Sequence, residues 1–201
     1  MTGIQALERK NPDLPMRPGS IQRREFEYIR HGTQTLIASF DVASGQVNYA
    51  SIGQTRTEMD YLAHVKQTIT TDPNALKWHL IMDCLNTHQS ASLVRYVAQV
   101  EGLTIDLGIK GKSGILQSMN TRMKFLTEPS HRIVFHFTPK HCSWLNQIEM
   151  WFGILMQKLL KRGNFLSQVD LKQRILDFID YFNRTMAKPF QWTYKGKALA
   201  V

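Results

Sequence analysis

Two carboxylates stand at positions where regular structure would hold them rigidly. Asp83 ends the apolar run of residues 78–82, which predicts a buried strand. Glu149 lies about two turns into an apolar segment that predicts a helix, and none of its helical neighbours is a cation. Carboxylate oxygens suit Mg²⁺ or Mn²⁺, and two such ions can activate a water and stabilise the leaving oxygen of a phosphodiester. The pair therefore indicates divalent-metal chemistry on phosphates, in a site that normally takes three carboxylates or more.

Each acid also has a purely structural explanation. Asp83 can cap the segment that follows it, and spacing alone slightly favours that role. Glu149 can lie on an exposed face or pair with a distant arginine, and the pattern supports this about as well as a metal site. Asp41, which precedes Ala43-Ser44-Gly45, is expected to serve a turn and not to replace a third catalytic acid.

Other kinds of catalytic site have weaker support. The chain has two cysteines, Cys84 and Cys142, too few for a disulfide framework or a four-cysteine zinc site. His141 stands beside Cys142 but no second metal-binding pair accompanies it, so zinc is not expected. Cys84, four residues before His88, is a candidate thiol nucleophile, although a free cysteine is usually a small buried hydrophobe. The glycine-rich run 111–114 lacks the first glycine of a phosphate-binding loop.

The length and composition of the chain exclude several classes of protein. The 201 residues are 43% hydrophobic, which predicts one globular domain and excludes overall disorder. No apolar run approaches the ~20 residues that span a bilayer, and residues 1–5 lack the features of a signal peptide. We therefore expect a soluble protein of the cytoplasm with no membrane partner.

Most of the positive charge is concentrated in one part of the chain. The formal net charge is +9, and residues 107–165 carry +7 of it. A solvating surface usually mixes both signs, so a one-sided block favours a nucleic-acid contact surface. The basic residues of this block are Lys110, Lys112, Arg122, Lys124, Arg132, Lys140, Lys158, Lys161 and Arg162.

The elements that must position these residues follow a mixed α/β order. Residues 1–30, broken by prolines, predict an extended arm with only a weak strand signal at 23–30. Residues 35–42 and 47–52 predict a hairpin with Gly45 in the left-handed conformation. Further strands are predicted at 78–83, 103–107 and 132–137, and helices from about 57, from about 90, at 143–162 and at 168–185, with an exposed loop at 108–120. This order predicts a mixed sheet with helices on its faces.

Two motifs resemble those of a known family. Residues 82–88 (Met-Asp-Cys-Leu-Asn-Thr-His) and 141–152 (His-Cys-Ser-Trp-Leu-Asn-Gln-Ile-Glu-Met-Trp-Phe) resemble bacterial insertion-sequence transposases of the mariner-related group (insertion sequence 630). The first is similar to the Asp-Asn-x-x-x-His pattern around the family's second catalytic Asp. The second is similar to its Trp-Leu-Asn-x-Ile-Glu pattern around the catalytic Glu. Residues 30–33, 132–136, 178–185 and 188–197 are also similar, so the resemblance covers nearly the whole chain.

The resemblance implies an RNase H-like fold that cleaves and joins DNA with two Mg²⁺ (or Mn²⁺) ions held by an Asp-Asp-Glu triad. Asp83 would be the second acid and Glu149 the third, with Asn86, His88 and Asn146 shaping the site. The implied partners are DNA, at the element ends and the target, and a second copy or a full-length transposase. The implied location is the nucleoid of a bacterial cytoplasm.

The chain departs from the family pattern in ways that bear on activity. The family's first Asp belongs to an opening strand with an Asp-Glu-Lys-Thr-Gly-like stretch, whereas this chain begins Met1-Thr2-Gly3. Cys84 replaces the usual Asn, and the two acids are 66 residues apart, longer than in many relatives. We therefore expect a single α/β domain over residues 1–201 that lacks the first strand, the first acid and the upstream helix-turn-helix. Its parts would be an arm at 1–30, a basic insertion at 107–132, and C-terminal helices and tail at 143–201.

These observations predict a truncated transposase catalytic domain that is inactive as it stands. The alternative is a non-catalytic remnant that binds DNA, or that pairs with a full-length transposase and blocks it. A weaker alternative is a standalone RNase H-like nuclease. In each case the basic block would hold the DNA backbone, with a salt-dependent affinity that carries little sequence information.

Overall fold

The computed structural model describes residues 1–23, 25–139 and 142–189. The strands are β1 (Ile4–Arg9), β2 (Tyr28–Asp41), β3 (Gln46–Gly53), β4 (Trp78–Met82) and β5 (Ile133–Phe137). The helices are α1 (Glu58–Thr70), α2 (Ala91–Val100), α3 (Met119–Leu126), α4 (Ile148–Leu155) and α5 (Gln168–Thr185). Asn86–Gln89 and Ser143–Leu145 are 3₁₀ turns, and α4 continues into a π-helical turn, Met156–Leu160. No helix within these ranges is both long and apolar enough to cross a membrane.

The described strands form two sheets. β1, β2 and β3 pair antiparallel in that order, whereas β4 and β5 pair parallel. The parallel pair needs a crossover connection, and the segment that contains α2 and α3 supplies it. The mixed α/β class with an RNase H-like order, predicted from the sequence, is confirmed.

Side-chain caps fix several element ends. Asp41 accepts hydrogen bonds from the backbone N–H of Ala43 at 3.0 Å and the hydroxyl of Ser44 at 2.6 Å, and Gly45 follows at φ +73°. The turn roles predicted for Asp41 and Gly45 are therefore confirmed. Thr57 and Asp60 form a reciprocal capping box at the start of α1. The hydroxyl of Ser90 caps α2, close to where the sequence predicts a helix to begin.

Two apolar cores divide the molecule. The first packs α1, α2 and α3 against β4 and β5, with Leu93, Val94 and Phe135 fully buried. The second packs α4 and α5 against the three-stranded sheet, with Trp151 and Leu171 at its centre. Because apolar burial dominates folding free energy, each sheet is held mainly by its own set of helices.

The beginning of the chain is more ordered than the sequence predicted. Residues 4–9 form β1, and Ile4 and Ala6 are buried. The extended arm expected over residues 1–30 was wrong for this stretch, since the prolines that suggested it begin only at Pro12. β1 is stabilised by its pairing with β2 and not by a strong pattern of its own.

Three further predictions are corrected. Residues 103–107 do not form a strand, and Leu103 and Ile105 are exposed. The loop expected at 108–120 buries Leu116 and leads into α3, a helix that the sequence analysis missed. The single helix expected over 143–162 is instead a 3₁₀ turn, a break at residues 146 and 147, α4 and the π-helical turn. The prediction for residues 168–185 matches α5 at both ends.

Candidate active site

Asp83 and Glu149 line the same cavity. Asp83 follows β4 directly, and Glu149 lies in the first turn of α4. The cavity has a volume of about 780 Å³ and is walled by β2, α1, β4 and the segment around Glu149. The fold therefore brings to one surface two acids that are far apart in the sequence.

His88 fixes the orientation of Asp83. Its Nδ1 lies 2.6 Å from Asp83 Oδ1 and 3.1 Å from the backbone oxygen of the same residue. Because both partners are acceptors, Nδ1 carries the proton and donates. The backbone N–H of Leu85 donates to the same carboxylate oxygen at 3.3 Å. The hydrogen bond from His88 holds the pKa of Asp83 below its ordinary value, against the opposing effect of burial.

The residues around His88 hold its ring in place. The ring packs on Tyr61, with 4.3 Å between the ring centroids. The hydroxyl of Tyr61 is buried beside Met82 Sδ at 3.5 Å, and burial raises the pKa of Tyr61. Asn86 is exposed and begins the 3₁₀ turn that carries His88. The turn after β4 thus acts as a support for Asp83.

Glu149 is set at the start of α4 by Asn146. The backbone N–H of Glu149 donates to the Asn146 carbonyl at 3.0 Å, and Asn146 Oδ1 accepts from the N–H of Ile148 at 3.4 Å. The carboxylate is exposed and has no ion-pair partner among residues 1–23, 25–139 and 142–189. It is free to bind a ligand in the cavity.

Met1 lines the same cavity as both acids. Its ammonium donates to the Leu36 carbonyl at 2.8 Å, and the residue is half-buried. Burial lowers the pKa of this amine, whereas the charges of Glu149 and Asp83 act in the opposite direction. The first residue of the chain is therefore part of the cavity wall.

A family model described as DDE superfamily endonuclease matches residues 2–172, and the match includes both acids and the elements that carry them. The chain belongs to the DDE superfamily of endonucleases. None of the curated proteins or solved structures compared with it matches. Proteins of this superfamily act on DNA and generally use divalent metals.

The described residues of this DDE domain contain no preformed cluster of metal ligands. No group of three His, Cys, Asp or Glu side chains converges within the described parts of the chain. Mg²⁺ in phosphate chemistry is commonly bound by one or two carboxylates together with the substrate phosphates. Asp83 and Glu149, which line one cavity, are the candidate carboxylates for that mode of binding.

Sequence reasoning missed two residues of the cavity in this DDE domain. Arg56 lies just before the capping box of α1 and contributes a positive charge that also lowers the pKa of Asp83. Tyr61 supports His88. A lone arginine in a polar stretch and a tyrosine on an amphipathic helix carry no motif, so only the fold places them here.

The predicted DNA-binding residues of the DDE domain are not equivalent. Arg122 is buried and donates to the carbonyls of Gln89 at 2.6 Å and Leu116 at 3.0 Å, so its guanidinium stabilises the fold and does not face DNA. Lys110 pairs with Glu58 at 3.0 Å on the surface. The remaining members are exposed, apart from Lys140, which lies outside the described residues: Lys112, Lys124, Arg132, Lys158, Lys161 and Arg162.

Proposed function

We propose that this domain is the catalytic core of an insertion-sequence transposase of the mariner-related group, and that it acts on DNA in the bacterial nucleoid. The observation that carries the proposal is that Asp83 and Glu149 line one cavity, together with the superfamily match. The motif residues Asn86, His88 and Asn146 belong to the turns that carry the two acids. Both acids therefore have the support that a site for phosphate chemistry requires.

Asp83, Glu149 and Arg56 have different roles in the proposed site. His88 holds Oδ1 of Asp83 and leaves Oδ2 available, so the carboxylate can bind a ligand without reorienting. Glu149 presents its carboxylate from the first turn of α4. Arg56 provides a positive charge at the cavity, suited to a DNA phosphate. A Mg²⁺ or Mn²⁺ ion bound by Asp83 and Glu149 would polarise a phosphodiester oxygen.

We further propose that the 201-residue chain does not cleave DNA by itself. The cavity brings together two motif acids, whereas the family mechanism uses three. Asp41 does not provide the third acid, because its carboxylate is hydrogen-bonded within the hairpin turn. Loss of one metal-binding acid removes metal-based transition-state stabilisation worth several kcal/mol.

Supercoiled-plasmid nicking with Mg²⁺ or Mn²⁺ tests this proposal. We expect the 201-residue chain to give no nicking above a metal-free control. The matched variants are Asp83→Asn and Glu149→Gln, with Asp177→Asn on α5 as a control acid that accepts a hydrogen bond from Gln173. Metal-dependent nicking that is abolished by the first two variants and kept by the third would contradict inactivity and support catalysis at these acids. Nicking that survives all three would contradict the assignment of the site.

The same two-acid site favours one alternative, a remnant that binds DNA without cutting it or pairs with a full-length transposase. The exposed basic residues of the chain can bind a DNA backbone without a third acid in the cavity. DNA binding by gel shift without nicking would support this alternative. If mixing the 201-residue chain with an active family member inhibits DNA cleavage by that member, the result would favour pairing with a full-length transposase.

A further inference from the structure

Two histidines meet on the outer face of the parallel sheet. In the register of β4 and β5, His79 pairs with Val134 and Ile81 pairs with His136, so the two histidines are diagonal neighbours. Both histidine side chains are exposed. Successive side chains of a strand point to opposite faces, so this pair lies on the face away from the core that β4 forms with α1, α2 and α3.

The two rings are close enough to bind one ligand together. Nδ1 of His79 lies 2.9 Å from Nε2 of His136, and the ring centroids are 5.2 Å apart with 32° between the ring planes. When both imidazoles are neutral, one of these nitrogens donates a hydrogen bond to the other. A change of tautomer on the donating ring gives both nitrogens a free lone pair. Both can then coordinate one metal ion, and neither ring has to lose a proton.

The separation of the two nitrogens indicates which metal ions fit. With metal–nitrogen bonds of about 2.0–2.1 Å, a separation of 2.9 Å corresponds to a nitrogen–metal–nitrogen angle of about 90°. Square-planar and tetragonal sites of Cu²⁺ and Ni²⁺ have this angle, whereas tetrahedral Zn²⁺ needs a wider one. No third metal-binding side chain converges on the pair within the described ranges. Water would therefore fill the remaining coordination positions.

We propose that His79 and His136 form a binding site for a late first-row transition-metal ion, with Cu²⁺ preferred over Ni²⁺ and Zn²⁺. Nitrogen ligands bind Cu²⁺ most tightly among these ions. The ion would join β4 to β5 through their side chains and stabilise the folded state that binds it. Because Asp83 follows β4 directly, this strand also supports the candidate active site. The inference concerns a site of imidazole nitrogens and not the two acids, so it goes beyond the proposed function.

Isothermal titration calorimetry of the untagged chain with Cu²⁺, Ni²⁺ and Zn²⁺ chlorides tests the site. We expect the tightest binding for Cu²⁺. His79→Gln and His136→Gln should each weaken it by at least about tenfold, since losing even an outer partner of a metal ligand costs 10–100-fold. His31→Gln is the matched control, because His31 lies 2.6 Å from Glu8 Oε2 on the other sheet. This control should leave the affinity for Cu²⁺ unchanged.

Electron paramagnetic resonance identifies the Cu²⁺ ligands independently of affinity. The pulsed echo signal reports the remote nitrogen of each coordinated imidazole, so the parent chain should show two imidazoles and each histidine variant one. A chain carrying both Asp83→Asn and Glu149→Gln should still show two. Thermal melting should show that Cu²⁺ raises the Tm of the parent chain and of His31→Gln but not of the two histidine variants. If a variant does not fold, the signal of the parent chain still counts its imidazole ligands.

Three results would overturn the inference. They are equal Cu²⁺ affinity in the parent chain and both histidine variants, fewer than two coordinated imidazoles in the parent chain, and loss of Cu²⁺ binding when only Asp83 and Glu149 are replaced. The last result would assign the ion to the carboxylates. Failure of Cu²⁺ binding would leave the proposed function intact, and the outcome of the nicking assay would leave this inference intact, because the two experiments share no readout.

Discussion

His64 joins α1 to the three-stranded sheet through both of its ring nitrogens. Nε2 lies 2.9 Å from Ser39 Oγ on β2, and Nδ1 lies 2.9 Å from Ser51 Oγ on β3. Ser39 also bonds to Thr68 at 2.8 Å. Burial, with a smaller effect of the charge of His88, lowers the pKa of His64 to about 4. The neutral ring is therefore the form that the folded protein stabilises.

The lowered pKa of His64 predicts that the stability of the fold depends on pH. An unfolded histidine has a pKa near 6.5, so between that value and about 4 the unfolded state binds more protons than the native state. Stability should therefore fall as the pH drops through this window, by roughly 3 kcal/mol at most from this residue. Urea unfolding at pH 7, 6, 5 and 4.5 measures the slope. His64→Gln should flatten it, and His79→Gln, at an exposed histidine, should not; equal slopes in all three proteins would contradict the assignment.

At the candidate site, the sequence identified individual candidate residues more readily than the residues that surround them in the fold. Asp83, His88, Asn146 and Glu149 were found because motifs fix their chemical type at short spacings. Arg56 reaches the cavity only through the path of the chain, and a short-range pattern contains no such information. The burial of Arg122 was missed for the same reason, since its carbonyl partners come from other segments.

Two glycines show how differently elements tolerate a side chain. Gly153 lies within α4, and a Cβ added there would meet no atom within 4 Å. Gly45 has φ +73° in the β2–β3 turn, and a Cβ there would collide with the backbone of Lys188. The first conformation suits alanine, whereas the second requires glycine.

Gly153→Ala should stabilise the domain by about 0.5–1 kcal/mol, because alanine restricts the unfolded chain and favours the helix. Gly45→Ala should destabilise it by about 1–2 kcal/mol or more, because the left-handed conformation strains an L-residue. Denaturant midpoints of the two variants and the parent chain check both signs. A destabilising Gly153→Ala would mean that α4 packs against something at this face.

A helix or strand was predictable from the sequence where its capping residue and apolar pattern agree with the burial seen in the structure. α5 has a serine cap at Ser167 and an apolar stripe that includes Leu171, Ile175 and Phe182, all buried in the structure. β1 was missed because six residues beside a proline-rich stretch give little pattern, and its order comes from pairing with β2. The break before α4 was missed because Asn146 and Gln147 are flanked by apolar residues whose spacing also suits an uninterrupted helix.

At the scale of the whole molecule, we expect the exposed basic residues of the chain to contact DNA. Affinity for a DNA backbone falls with salt in proportion to the number of phosphates neutralised. The loop that carries Lys110 and Lys112 connects α2 to α3 and lies outside the cores, apart from the anchors Leu107, Ile115 and Leu116. Its charges can therefore be removed with little effect on packing.

Lys110→Ala combined with Lys112→Ala should weaken DNA binding and lower the slope of log K against log salt by about 1–2, since each lost phosphate contact contributes about 0.9. Anisotropy titrations of a labelled duplex at several salt concentrations measure the slope. The control, Lys66→Ala with Lys172→Ala, removes the same charge from α1 and α5, outside the basic block. An unchanged slope, or an equal fall in the control, would exclude this loop from the interface.

The position of Met1 has a practical consequence for handling the protein. Its ammonium is built into the β1–β2 ladder and faces the cavity that holds Asp83 and Glu149. An affinity tag fused ahead of Met1, or the few residues that remain after its removal, would emerge at that place and occupy the space that the binding assays probe. For measurements on these 201 residues, protein without an N-terminal tag is therefore the proper material for measuring DNA or metal binding.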